Sequence, residues 1–374
     1  MGGQSMNGQG MNGQGIGIVG LGVISRAYLD TLVGADGARI VAVADRDPER
    51  ARAVAAELPG VRALTPAELY AHPDVDTVLN LTVPSAHHEV AIAALAAGKH
   101  VFGEKPLAAT FAEATDVMER ARVAGRAVGG APDTVLGTGI QTARAVVEAG
   151  VIGRPVSATA TWLSRGHEAW HPNPDFYYLP GGGPLLDMGP YYLTSLVHLL
   201  GPVDAVQGAS SRARDTRVIG SGPRAGEEIP VDVDTHVTGV LHHVGGALST
   251  VTFSFDAVAT RAEPIEVHGV EGMLVLPDPN HFSGDVHLRP ADGSTDERII
   301  APRAGYVDAA RGVGLLDFVA GHRRASGEIA LHVLEIMTAL LESSRRGARV
   351  AIASAPAVPP LVPLTPRAQW RGPR

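Results

Sequence analysis

Five short apolar runs, separated by helical segments, limit what the first third of this chain can become. Residues 16–20, 40–44, 77–82, 99–102 and 127–129 are brief and mostly do not alternate with polar residues. Runs of this kind read as strands buried on both faces. Between them, residues 50–58, 89–97 and 112–124 read as helices, so the spacing predicts a parallel sheet covered by helices on both sides. A further helix over 141–149 stops at Gly150.

The first run leads directly into Gly20-Leu21-Gly22-Val23-Ile24-Ser25. Gly20 permits a tight turn, Gly22 lets backbone approach a pyrophosphate at a helix N-terminus, and the small Ser25 keeps helix and strand close. A glycine-rich turn alone is a weak signal in a chain with 45 glycines. Asp45 strengthens it: it ends the second strand, where a carboxylate can accept hydrogen bonds from adenosine ribose hydroxyls. Arg46 follows, a residue able to stack on adenine or pair with a 2′-phosphate, while Asp45 would repel that phosphate. NAD is therefore expected over NADP.

Beyond Gly153 the pattern becomes period two. Val156, Ala158, Ala160 and Trp162 alternate with polar residues, and Gly245-Gly246 and Glu271-Gly272 are hairpin signals. Ile329, Val333, Ile336, Met337, Leu340 and Leu341 form a helical stripe ending at Gly347, and His332 within it reads as structural. The expected fold class is α/β plus α+β: a Rossmann domain followed by an open-faced antiparallel β-sheet domain. The expected boundaries are a disordered tail over 1–14, a dinucleotide domain over 15–131, a substrate and oligomerisation domain over 132–352, and a proline-rich tail or strap over 353–374.

Composition narrows the function. A formal charge of -8 argues against non-specific nucleic-acid binding. No stretch approaches the roughly 20 apolar residues of a membrane span, and the Met-Asn-Gly-Gln-Gly repeats at the start lack the features of a signal peptide. The absence of cysteine excludes disulfides and thiolate chemistry, and fits a cytoplasmic enzyme.

The stretch Leu79-Asn-Leu-Thr-Val-Pro-Ser-Ala-His87 and the later Gly98-Lys-His-Val-Phe-Gly-Glu-Lys-Pro106 resemble the glucose–fructose oxidoreductase/inositol dehydrogenase/MocA (Gfo/Idh/MocA) family. Gly150-Val-Ile-Gly153 and Gly181-Gly-Gly-Pro-Leu-Leu-Asp187-Met-Gly189 are similar to its bridge and substrate-domain motifs. The resemblance implies an active site between the two domains, NAD(P) as cofactor, and a sugar, glycoside or cyclitol substrate. It also implies a homodimer or homotetramer. Carried over by position, Thr82, Pro84 and His87 should line the nicotinamide side, Glu104 and Lys105 should border it, and Pro106 should aim Lys105 at the substrate. Elementary chemistry agrees: oxidising an alcohol removes a hydroxyl proton while a hydride leaves carbon, so a cation and a base must meet one oxygen. Lys105 supplies the cation, and Asp187 could tune or orient it.

One departure stands out. The family usually has histidine four residues after the aspartate, whereas here Tyr191 occupies that place. A phenol of depressed pKa at Tyr191, Lys105 itself, or a loop histidine, His167 or His171, are the alternatives for the base. His167-Glu-Ala-Trp-His171 also spells H-E-x-x-H, but Gly166, Pro172 and Pro174 deny it a sustained helix, so no metal is expected. A loop of His167, Trp170 and His171 over a carbohydrate is the expected use. The alternatives to net oxidation or reduction are a glycoside hydrolase or lyase using transient oxidation by bound NAD, and a non-catalytic nicotinamide-binding regulator.

Overall fold

The computed structural model describes residues 13–292 and 296–372. Most of the expected N-terminal tail, residues 1–12, lies outside the described residues. Its expected last residue, Gln14, instead opens a strand.

The first sheet is built from β1 (Gln14–Val19), α1 (Val23–Leu32), β2 (Ala38–Ala44), α2 (Pro48–Ala56), β3 (Arg62–Ala63) and α3 (Pro66–Ala71). It continues with β4 (Thr77–Asn80), α4 (Pro84–Ala96), β5 (His100–Gly103), α5 (Phe111–Ala124) and β6 (Val128–Gly130). All its strands pair in parallel, in the order β3-β2-β1-β4-β5-β6. The order reverses between β1 and β4, which opens a crevice at their carboxyl ends. The buried runs Ile16, Ile18, Val41, Val43, Val78, Leu79, Val101 and Phe102 explain why these strands carry no alternation.

Two boundaries differ from expectation. The run at 77–82 ends as a strand at Asn80, and α4 starts at Pro84 rather than at residue 89. Proline at the first helical position needs no N–H partner and has a helical φ already set. Early helix entry shortens the strand and brings His87 into the helix. The short β3 and α3 also lie between the predicted second and third runs; α3 is set by a capping box between Thr65 and Glu68.

The chain then crosses through α6 (Thr138–Glu148) into the second sheet. Its elements are β7 (Pro155–Leu163), α7 (Pro184–Leu200), β8 (Val203–Ser211), the small ribbon β9 (Thr216–Val218) and β10 (Glu228–Pro230), β11 (His236–His243) and β12 (Leu248–Ser254). They continue as β13 (Ile265–Gly269), β14 (Gly272–Leu276), β15 (Val286–Pro290), β16 (Arg298–Ile300), α8 (Val313–Val319), α9 (Gly327–Arg346), β17 (Val350–Ala351) and α10 (Arg367–Trp370). The sheet order is β16-β15-β14-β13-β7-β12-β11-β8-β17. The hairpin at Gly245-Gly246 forms as expected, while the one expected at Glu271-Gly272 turns one residue earlier, at 270–271, with Gly272 opening β14.

This sheet is not wholly antiparallel: β7 and β12 pair in parallel. The chain leaves β7, runs through the 164–183 loop, α7 and two further long strands, and returns on the same side, a long crossover of the kind parallel neighbours require. Helices α6, α7 and α9 pack against one face. Thr159, Thr161, Thr252, Val240 and His242 on the other face stay partly exposed.

His332 sits fully buried in α9, where Nε2 accepts from Val203 N at 3.0 Å and Nδ1 lies 2.7 Å from Ser354 Oγ. The proline-rich C-terminal segment is a strap. Trp370 is buried against Tyr306, its Nε1 donates to Val307 O at 2.9 Å, and Arg371 donates to the carbonyls of Thr31, Asp30 and Val33 at the end of α1.

Candidate active site

At the carboxyl edge of the first sheet, Gly20 has φ +94°, and a Cβ there would meet Leu81 C and Thr82 N at 2.7 Å. Only glycine lets the β1 and β4 turns approach so closely. Gly22 faces open space, and α1 begins without any side-chain cap. Ser25 is buried and its hydroxyl donates to Gly22 O at 2.7 Å, while Ile24 packs half-buried on the core. Val23 and Val83 are 99% and 65% exposed on this edge, and Pro84 is exposed beside Val83. A helix start with no side-chain cap among the described residues, a glycine with free room and two apolar side chains held in water together fit a dinucleotide.

Asp45 closes this side. Its Oδ2 accepts from Leu21 N at 2.7 Å and its Oδ1 from Asp47 N at 2.9 Å and Arg50 at 3.2 Å. Burial opposes ionisation, but the two amides and Arg50 outweigh it and hold the carboxyl below its usual range. Asp45 thus shapes the glycine turn as well as offering oxygens to a ribose. Arg46 beside it is exposed.

The β4 and β5 turns are tied together by His87. It is buried, with Nδ1 2.7 Å from Pro106 O and Nε2 3.0 Å from Thr82 O. Its place is behind the two turns, where it fixes them, and not on the open edge with Val83 and Pro84. Thr82 Oγ1 donates to Asn80 Oδ1 at 2.7 Å. Glu104 accepts from Tyr28 OH at 2.8 Å and from Lys105 N at 3.1 Å.

Lys105 crosses to the second sheet's domain. Nζ donates to Asp187 Oδ1 at 2.9 Å and to Asp187 O at 2.7 Å. Burial alone would pull the lysine down, but Asp187 outweighs it and the ammonium titrates above its ordinary range. Burial likewise pushes against Asp187, yet Lys105 and His167 carry the carboxyl down to about 2. The second oxygen of Asp187 meets His167 Nε2 at 2.8 Å. Among the described residues His167 Nδ1 is buried without a hydrogen-bond partner, with Tyr177, Phe255 and Trp170 rings at 4.3, 4.8 and 5.2 Å.

Tyr191, one turn along α7 from Asp187, presents its ring to Lys105 Nζ at 5.2 Å. Burial pushes its phenol above the ordinary value and outweighs the nearby Lys105 and Arg311. The depressed phenol that its neighbours suggested is therefore not what this environment gives: enclosure opposes the phenolate more than the cations favour it. A lysine held protonated is equally poorly suited to accept a proton.

The H-E-x-x-H segment is a single 3-10 turn over His167–Ala169. Glu168 is taken by Arg217 Nη1 at 2.8 Å and by the Tyr178 hydroxyl, and Arg217 also pairs with Asp256. That buried network holds the loop which carries His167. Trp170 is 59% exposed, and His171 packs between Trp170, Phe176 and Tyr177, with Nδ1 accepting from Asn173 N at 3.1 Å. The loop therefore brings His167 onto Asp187 and leaves His171 at its rim. Sequence reading missed Arg311, Tyr28, Asp133 and Tyr177, which all lie around the same centre.

Comparison with known proteins follows the same division. Residues 14–130 match the oxidoreductase family with NAD-binding Rossmann fold, and residues 140–275 match the GFO/IDH/MocA C-terminal domain. The chain is 30% identical over 283 residues to a 1,5-anhydro-D-fructose reductase of Ensifer adhaerens, covering 73% of this chain and 79% of the relative. It is 31% identical over 261 residues to a myo-inositol 2-dehydrogenase of Thermotoga maritima, covering 67% and 71%. The crystal structure of an NAD binding oxidoreductase from Klebsiella pneumoniae superposes with a TM-score of 0.78 at 25% identity, over 91% of this chain and 100% of that one. With both halves matched in order and the Lys105–Asp187 pair joining them, this chain belongs to the Gfo/Idh/MocA family of NAD-binding oxidoreductases.

Proposed function

We propose that the chain oxidises a hydroxyl, or reduces the matching carbonyl, on a sugar, sugar derivative or cyclitol, with NAD as the hydride partner. The observation that carries this reading is the buried Lys105–Asp187 pair at the edge of the dinucleotide crevice, with Tyr191 beside it. The reductase and dehydrogenase relatives support net oxidoreduction over a hydrolytic or regulatory role.

The residues offered to the cofactor are the Gly20–Gly22 turn with Val23 and Ile24, Asp45 with Arg46, the Thr82–Pro84 turn, and Glu104. His87 supports them from behind. The unobstructed room at Gly22 and the uncapped α1 support this assignment. When bound, the nicotinamide accepts or donates the hydride. Lys105 holds the substrate oxygen and stabilises its negative charge, Asp187 fixes Lys105 and His167, and Tyr191 exchanges the hydroxyl proton. Trp170, with His171 behind it, offers an aromatic surface to the apolar face of a sugar ring.

Two domains, 14–131 and 132–352, are the reading that the two sheets support, with the 353–372 strap joining them. A homodimer or homotetramer is supported by the sheet face opposite α6, α7 and α9, which stays partly exposed among the described residues. Among the described residues no helix is long and apolar enough to cross a membrane. The test is incubation with NAD or NADP against a panel of sugars and cyclitols, reading reduced cofactor and product together. One reduced NAD per product supports the reading; product without net reduction overturns it in favour of transient oxidation.

A further inference from the structure

A loop arginine enters this centre that no motif announces. Arg311 Nη2 donates to the Tyr191 hydroxyl at 3.1 Å and to Asn280 Oδ1 at 3.1 Å. Its guanidinium lies 5.4 Å from the centroid of the Tyr191 ring, the ring that Lys105 also approaches. Immediately behind it the loop is pinned: buried Asp133 Oδ2 accepts from Gly312 N at 2.8 Å and from Gly314 N at 3.1 Å. Arg311 Nη1 is buried without a hydrogen-bond partner among the described residues. A cation placed with a donor unmatched costs stability, so its position asks for another reason.

The charges around the phenol give one. Lys105 and Glu104 face Tyr191 from the end of β5, Asp187 from α7 and Tyr177 from the 175–177 turn, while Glu104, Asp133 and Tyr28 face Arg311 from behind. Lys105 is matched by Asp187 in a direct ion pair. The hydrogen-bond partners of Arg311, Tyr191 and Asn280, are both uncharged. A guanidinium stays protonated throughout the working range, so its field on the phenol oxygen is constant. A phenol oxygen that accepts from Arg311 also keeps its own O–H for another acceptor.

We propose that Arg311 is a positioning residue which acts through Tyr191: it stabilises the phenolate and aims the phenol O–H toward the substrate oxygen. The inference rests on the proposed role of Tyr191. In the oxidative direction the phenolate takes the hydroxyl proton as the hydride leaves carbon for the nicotinamide, and the phenol afterwards releases that proton to water. In the reductive direction the same O–H is donated.

The test replaces the seven tyrosines of the full chain by 3-fluorotyrosine and follows ¹⁹F resonances against pH, the Tyr191 signal being the one lost in Tyr191→Phe. Arg311→Met should move the Tyr191 midpoint upward by about one unit or more, and Arg311→Lys should restore much of the shift. The alkaline rise of kcat should move the same way, with KM within about threefold. Arg311→Gln is a second uncharged variant should Arg311→Met fail to fold. A Tyr191 midpoint that is the same in parent and uncharged variants overturns the proposal. The resonance needs no substrate, so a shifted midpoint in a chain that oxidises no sugar would uphold Arg311's effect on the phenol and overturn the functional reading instead.

Discussion

His167 Nε2 lies 2.8 Å from Asp187 Oδ2, a contact between the loop after β7 and the first turn of α7. The other carboxylate oxygen takes Lys105 at 2.9 Å. The family pattern puts a histidine one turn after this aspartate on the helix itself. Here Tyr191 stands there, and a histidine reaches the same carboxylate from outside the helix. One carboxylate thus orders a cation and an imidazole, while a phenol held by Arg311 occupies the vacated place.

Lys105→Met tests the cation. It removes the ammonium from the substrate oxygen and leaves Asp187 buried without its main partner. Turnover should fall by about 10²-fold to 10³-fold or more, the scale for losing a donor to developing charge. The NAD dissociation constant, read by fluorescence titration of the reduced cofactor, should stay within about threefold. A loss in cofactor affinity as large as the loss in turnover would put Lys105 in the cofactor site alone.

Asp45→Ala tests cofactor choice. Asp45 offers a carboxylate to ribose hydroxyls and also holds Leu21 N in the glycine turn. NAD binding should weaken by about 1–3 kcal/mol, the range for hydrogen bonds to a charged group, and its advantage over NADP should narrow. Calorimetric titration giving equal NAD affinity in variant and parent would remove Asp45 from the site.

Much of the first sheet was legible because its strands are buried on both faces: Ile16, Ile18, Val41, Val43, Val78 and Val101 mark them with no partner needed to interpret them. The glycine turn, Lys105 and Asp187 were legible for a similar reason, since each stands at a fixed place beside a strand or helix. Contacts made only by the folded chain were not. The parallel pairing of β7 with β12 depends on the long crossover over residues 164–247, which local periodicity does not encode. Arg311 and Asp133 carry no period, and their significance arises only where residues 133 and 312 meet. Neighbouring cations, which suggested a depressed Tyr191 phenol as one alternative, can be guessed from motifs, while the burial that opposes it cannot.

Acid should loosen the fold well above the range where carboxylates titrate. His198 and His332 are buried, and desolvation lowers them to about 3 and about 4 respectively. The unfolded chain would protonate both near pH 6.5, so it binds more protons than the fold between that value and the lowered ones. Stability is therefore full above about pH 6.5 and lost on descending, by about 1.4 kcal/mol per pH unit for each group. Urea midpoints measured between about pH 7.5 and 4.5 should show this slope; a flat line down to about pH 5 would contradict it.

The account turns on which group takes the hydroxyl proton, and the pH dependence of kcat for oxidation measures that directly. Burial raises the Tyr191 phenol and Lys105 remains charged, so the phenolate forms only in the alkaline range. The parent's oxidation rate should therefore keep rising above neutrality, while the rate of reduction should hold steady there and fall only where the phenol itself ionises. Tyr191→Phe should lower kcat by about 10² to 10⁴ and abolish the rise, while His167→Ala should lower the rate yet keep the rise. A profile already flat from about pH 6.5, with Tyr191→Phe fully active and His167→Ala inactive, would contradict the account and move the base to the loop.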